Sequence, residues 1–167
     1  PLCRMGAKVT AIDADRSAIK IAQSHAKSQG LDISYIAGAA EDLVAKGQKF
    51  DAVVALEILE HVDHPARFVK LCSQLLKPGG KIIFSTLNRT WKSYALGIVV
   101  AERILGWAPE GTHDWHKFIK PSELAHMAEQ AGLTVEDACG LVYRPLSGDF
   151  VLHAHDLDLN FFLVVSV

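Results

Sequence analysis

Short apolar runs alternate along the chain with stretches of helical periodicity. Residues 8–13, "KVTAID", form a β-branched run closing on an acid and predict a strand. "DRSAIKIAQSHAKSQG" follows, with Ala18, Ile21, Ala22 and His25 at the spacing of one helical face. Asp15 suits its N-cap and Gly30 the position just past its end. "ISYIAG", 33–38, predicts a second strand and "AAEDLVAKG" a short helix. "FDAVVAL", 50–56, is continuous and apolar, the pattern of a buried strand in a parallel sheet. "PARFVKLCSQLLKPGG", 65–80, predicts an amphipathic helix stopped by Pro78, Gly79 and Gly80, and "KIIFSTL", 81–87, the next strand. "PSELAHMAEQAG", 121–132, predicts a further helix, and "LTVEDACGLVYRP" and "LNFFLVVSV" predict strands joined by a hairpin-like excursion.

Strands alternating with helices place the chain in the α/β class, as a doubly wound, mostly parallel sheet of Rossmann-like type forming one domain over 1–167. In such sheets ligands collect at the carboxyl ends of the strands. With 167 residues, half of them hydrophobic, the chain is long enough to bury a core. A net charge of -2 with no long basic run gives no footprint for nucleic acid. Cys3, Cys72 and Cys139 are scattered and form no C-x-x-C pair, which fits a reduced, cytosolic-type protein without a zinc cluster. No apolar stretch reaches the roughly 18 residues needed to span a bilayer. The opening "PLCRMGAKVTAID" reads as the end of a helix running into a strand, so the expectation is that a segment precedes it, carrying any targeting signal.

Three polar groups carry candidate chemistry. Asp13 closes the first strand, where an acid accepts hydrogen bonds from ribose hydroxyls; capping the next helix is the competing role. The glycine-rich loop that normally precedes such an acid by about 20 residues is not within the chain. In "ALEILEHVDH", residues 55–64, Glu57, Glu60 and His61 stand at i, i+3 and i+4, one face if the segment is helical. Two carboxylates and an imidazole suit Mg²⁺, Mn²⁺ or Zn²⁺, and a solvated helix turn has the same sequence. His64 lies beyond that turn and is expected at the surface. His113, Asp114 and His116 form a second cluster, in which His113 is the candidate general base and Asp114 alternatively closes a loop. "WKSYALGIVVAERILGWAP", 91–109, is either a core or lid helix or an interfacial one, too short to span but flanked by Trp91 and Trp107.

"VTAID", "FDAVVALEILEHV", "LLKPGGKIIFSTLNR" and "FIKPSEL" resemble the class I S-adenosylmethionine-dependent methyltransferases. "EILEHV", "FSTLNRTWKSYAL", "PEGTHDWHKFIKPSEL" and "DLNFFL" narrow the resemblance to the O-methyltransferases of ubiquinone biosynthesis, over nearly the whole chain. The resemblance implies a sheet in order 3-2-1-4-5-7-6 with strand 7 antiparallel, in which "KVTAID" is strand 2 and strand 1 with its glycine loop lies upstream of Pro1. It implies S-adenosylmethionine as methyl donor, Leu56 as a cofactor contact, and Glu57, Glu60 and His61 as ligands of Mg²⁺ or another divalent ion that chelates a polyprenyl catechol substrate. It further implies a peripheral contact through about 91–107 with the inner membrane, on the cytoplasmic side or, in a eukaryote, the mitochondrial matrix side, and a possible ubiquinone-biosynthesis complex. The rivals are a methyltransferase acting on another hydrophobic acceptor, an oxidoreductase using the strand-end acid for NAD, and an inactive assembly subunit.

Overall fold

The computed structural model describes residues 1–95, 114–145 and 147–167. They form two compact units, Pro1–Gln48 and Lys49–Val167. The first unit pairs β1 (Val9–Asp13) in parallel with β2 (Ile33–Ala37), with α1 (Arg16–Ser28) between them in sequence and α2 (Ala40–Ala45) after. Asp15 caps α1 by accepting a hydrogen bond from the Ser17 N–H at 2.7 Å, and Gly30 takes the left-handed φ of 64° that ends it. The buried face of α1 is rotated by one residue from the expected one. Ile19 and Ala26 are buried, whereas Ile21 is 72% exposed and His25 is also exposed. Both sets have helical spacing and border on the half-buried Ala18 and Ala22, so periodicity alone does not separate neighbouring registers.

The second unit is built on a five-stranded sheet in the order β3-β4-β7-β5-β6. β3 (Phe50–Leu56) runs parallel to β4 (Leu76–Leu87). β7 (Asn160–Ser166) lies antiparallel between β4 and β5 (Thr134–Arg144), and β6 (Asp149–His153) completes a hairpin with β5. The order β3-β4-β7-β5 reproduces the expected 4-5-7-6, and the hairpin-like excursion is itself a strand at the sheet edge. One face is packed by α3 (Pro65–Gln74) and α5 (Pro121–Gln130), and the single turn α4 (Trp91–Ser93) lies between them in sequence. Phe161, Leu163 and Val165 alternate inward along β7 and meet Ile82 and Phe84 of β4, Val69 and Cys72 of α3, and Leu124 and Ala128 of α5. Each large side chain buried there is worth about 1.5–3 kcal/mol of transfer free energy.

Two expectations are corrected here. β3 is not buried along its length: Val54 is 43% and Leu56 45% exposed while Ala55 is buried, because alternate residues of β3 lie on the sheet face away from α3. α3 ends at Gln74 instead of running on to the expected stop at Pro78, Gly79 and Gly80. The Phe50 N–H donates to the Leu75 carbonyl at 2.8 Å, so the strand ladder begins before the glycines. Pro78 and Gly79 instead form an irregularity in the β3–β4 register, in which Gly79 has φ 76° and Lys77 pairs with Asp51 at 2.9 Å.

Gly140 pairs with Phe161 across β5 and β7 and lies directly under the loop that precedes β7. A Cβ at this position would stand 1.6 Å from the Asp156 carbonyl oxygen. Gly140→Ala therefore forces backbone apart, and it is expected to lower stability by about 1–3 kcal/mol or more in urea unfolding. A midpoint equal to that of the parent would show that the loop gives way freely.

Candidate active site

The polar groups of the second unit collect where β3 and β4 end and β7 begins. The chain leaves β3 at Glu57, the one non-glycine residue with positive φ among the described residues, at 52°. Such a conformation costs roughly 1–2 kcal/mol in an L-residue. Three hydrogen bonds offset it. The Glu57 N–H donates to the Ser85 carbonyl at 3.0 Å, the Ser85 hydroxyl donates to Glu57 Oε1 at 2.5 Å, and the Asn160 amide donates to the same oxygen at 2.9 Å. Glu60 follows in the 3₁₀ turn Leu59–His61 and is only 4% exposed. Its Oε2 accepts from the Thr86 hydroxyl at 2.8 Å, and its Oε1 is buried without a hydrogen-bond partner.

These contacts correct the expected helical face. Glu57 is left-handed, so 57–61 is not one helical turn. Ser85 and Thr86 are successive strand residues and point to opposite faces of the sheet. Glu57, bonded to Ser85, and Glu60, bonded to Thr86, are therefore drawn apart, and His61 is exposed. Among the described residues no three His, Cys, Asp or Glu side chains cluster to hold a metal ion. The donor set does not fit one shared ion in this arrangement. His64 is exposed at the N-cap of α3, as expected.

Sequence reasoning missed Ser85, Thr86, Asn88 and Asn160. The signal for them is a polar run, "STLN", at the end of an apolar strand, and an asparagine opening another. The Asn88 amide donates to the Leu157 carbonyl at 2.8 Å and its backbone N–H to the Leu159 carbonyl at 2.9 Å. Asn88 Oδ1 and Asn160 Oδ1, like Glu60 Oε1, are buried acceptors without a partner. An edge so rich in acceptors suits a ligand that brings O–H donors.

In the first unit Asp13 ends β1, exposed, and the Gly38 N–H donates to its carbonyl at 2.9 Å. Asp13 Oδ1 accepts from the Asp15 N–H at 2.8 Å, so the capping role is real. Its Oδ2 makes no hydrogen bond among the described residues, which leaves it open to a hydroxyl. Leu56 stands at the carboxyl end of β3, paired with Ser85. His113 lies outside the described residues. Its neighbour Asp114 closes a loop, accepting from the His116 N–H at 3.0 Å. Trp91 stacks on Trp115 with ring centroids 5.4 Å apart, and Tyr94 meets both edge-on. Lys92 is held between Asp156 and Asp158, each at 3.3 Å.

Burial pushes the Glu60 carboxyl above its ordinary range, outweighing the hydrogen bonds from its own backbone and from Thr86; the Glu57 charge adds to the rise and His61 opposes it. A carboxyl whose folded value is raised binds its proton more tightly folded than unfolded. Its contribution is fully present below the ordinary value of 4.5 and is lost as pH rises through the folded value. The parent should therefore lose stability relative to Glu60→Gln as pH rises above 4.5. Parallel stability curves for the two proteins in urea unfolding would show that Glu60 titrates normally.

A family model described as "Methyltransferase domain" matches residues 1–84. The ubiquinone biosynthesis O-methyltransferase of Methylocella silvestris is 49% identical over 166 residues, covering 99% of this chain and 64% of that protein. The protein of the same name from Dinoroseobacter shibae is 47% identical over 161 residues, covering 96% and 65%. The chain thus spans just under two thirds of the length of these relatives. Among solved structures, the magnesium protoporphyrin IX methyltransferase of Synechocystis PCC 6803 with bound SAH is similar at TM-score 0.68 and 18% identity, covering 99% of this chain and 66% of that one. A possible histamine N-methyltransferase from Thermotoga maritima is similar at TM-score 0.71 and 16% identity, covering 99% and 75%. With half its length matched by the family model and the strand order of the class I methyltransferase fold, the chain belongs to the methyltransferase domain family.

Proposed function

We propose that this chain is the catalytic domain of an S-adenosylmethionine-dependent O-methyltransferase that methylates polyprenyl catechols in ubiquinone biosynthesis. The observation that carries this reading is the acceptor-rich edge at Glu57, Asn88 and Asn160, in a chain 49% identical to a protein named for that activity. A catechol brings two adjacent O–H donors, which is what such an edge lacks. S-adenosylmethionine, when bound, supplies an electrophilic methyl group on a sulfonium. Asp13 Oδ2, exposed at the end of β1, suits the ribose hydroxyls of that donor. Glu57 Oε2, the oxygen not used by Ser85 and Asn160, receives the acceptor hydroxyl and its proton. Holding that oxygen in line supplies much of the rate, since methyl transfer asks for little beyond a deprotonated oxygen correctly placed.

The acceptor's polyprenyl tail needs an apolar path. Trp91, 77% exposed and stacked on Trp115, gives one, and it supports peripheral membrane contact through the segment that begins there. Lys92 is occupied by Asp156 and Asp158, so the contact rests on aromatic burial more than on charge. No helix among the described residues is long and apolar enough to cross a membrane. The implied setting is the inner membrane surface.

Incubating the protein with S-adenosylmethionine and a polyprenyl catechol is expected to yield the monomethyl ether by mass spectrometry. Binding of the donor without product, on polyprenyl and soluble catechols alike, would favour the assembly-subunit rival. Asp13→Ala is expected to weaken donor binding by about 1.5–3 kcal/mol in calorimetry, the worth of hydrogen bonds to a charged group. Unchanged affinity would remove the ribose assignment. In flotation with phosphatidylcholine vesicles, Trp91→Glu is expected to reduce recovery severalfold while donor affinity stays constant. Loss of both together would make the aromatic stack part of the fold instead.

A further inference from the structure

We infer that Ser85 and Asn160 are positioning residues: they clamp Glu57 in its left-handed turn so that the second carboxylate oxygen faces the methyl acceptor. The catalytic part of this inference rests on the methyltransferase reading above; the structural part does not. Glu57 has φ 52°, a conformation an L-residue keeps only when its surroundings over-determine it. The over-determination is visible. Ser85 contacts Glu57 three times, through its carbonyl at 3.0 Å from the Glu57 N–H, through its hydroxyl oxygen at 3.2 Å from the same N–H, and through its hydroxyl donating to Oε1 at 2.5 Å. Asn160 adds a donor at 2.9 Å from a different strand, 103 residues away in sequence.

Both donors fall on one oxygen. That leaves Oε2 as the only carboxylate oxygen of Glu57 without a hydrogen bond among the described residues, so the clamp fixes the direction as well as the place of the free acceptor. The same geometry explains why Asn160 is an asparagine. Its amide nitrogen is spent on Glu57, while its Oδ1 stays buried without a partner. An aliphatic residue would avoid that orphaned acceptor, so something other than packing retains the amide. Ser85 is likewise 2% exposed, on the face of β4 opposite the one that carries Phe84 and Thr86 into the core. Glu60 has no part in the clamp, since Thr86 holds it on the opposite face.

Two measurements on the protein test this. The first is a stability cycle. Ser85→Ala and Asn160→Ala should each lower the folding equilibrium constant about fivefold, the usual worth of a lost hydrogen bond near 1 kcal/mol. In a Glu57→Gly background, where glycine adopts φ 52° freely and has no carboxylate, the same changes should have at most a small effect. Equal losses in both backgrounds would overturn the clamp. The second is kinetic. Each alanine variant should lose about tenfold or more in kcat on a polyprenyl catechol, with the KM and dissociation constant for S-adenosylmethionine unchanged. An unchanged kcat in an active parent would overturn the positioning role. A parent inactive on catechols would overturn the functional reading, and the stability cycle would then decide the clamp alone.

Discussion

An antiparallel strand threaded between two others governs the second unit. β7 pairs with β4 on one side and β5 on the other, and its inward residues Phe161, Leu163 and Val165 supply the middle of the core. Direction matters as much as burial. Because β7 runs against β4, its first residue, Asn160, lands opposite Leu87, the last residue of β4. A parallel strand would bring its other end to that edge. Register is equally constrained: a slip by one residue would turn Phe161, Leu163 and Val165 out of the core and Asn160 into it. The apolar alternation that stabilises the sheet thus also delivers the amide to Glu57.

The same period of two sorts the acids. Ser85 and Leu87 share one face of β4 with Asn160, and Thr86 shares the other with Phe161. Glu57 therefore joins the face away from α3 and α5, and Glu60 joins the core face. A carboxyl held beside Phe161 is desolvated and favours its protonated form, whereas Glu57 is exposed and accepts two hydrogen bonds on one carboxylate oxygen. Two acids three residues apart in sequence acquire different tasks from which hydroxyl each one meets.

Most of the architecture was legible because it is written in local periodicity. The strands at 9–13, 33–37 and 50–56, the cap at Asp15 and the glycine end of α1 follow from apolar runs and capping chemistry. The errors arose where a tertiary partner decides the outcome. Leu76 belongs to a strand because Phe50 pairs beside it, although the residues before it read as helix. The burial of α1 chose Ile19 over Ile21, two positions compatible with similar spacing. β6 was hidden in an excursion because a five-residue edge strand is defined by its hairpin partner. Asp13 and Glu57, one in each unit, were visible as acids at or just past strand ends. The i, i+3, i+4 spacing of Glu57, Glu60 and His61 misled because it presumes helical φ at residue 57, and nothing local announces a left-handed glutamate. Ser85 and Asn160 could not be linked from sequence, since their common partner is set by β7's register.

Trp91 of the aromatic stack follows Asn88 of the polar edge by three positions, with only Arg89 and Thr90 between them. Asn88 ends the polar run, and the Ser93 hydroxyl donates back to its carbonyl. Thr90 accepts from the Trp115 indole at 3.0 Å and donates to the Asp158 carbonyl at 2.6 Å. The loop before β7 therefore ties down both the asparagine and the turn that carries Trp91. Three residues span at most about 10 Å, the scale of an aromatic ring and the first carbons of an attached chain. In the proposed function, an acceptor with a polar head and an apolar tail would match that spacing, with its hydroxyls at Glu57 and Asn160 and its tail toward Trp91 and Trp115. On that proposal, rigid coupling of the polar edge and the aromatic stack means that placing the tail would also orient the head. Binding energy gained at a remote apolar contact would in this way be converted into alignment at the reacting oxygen.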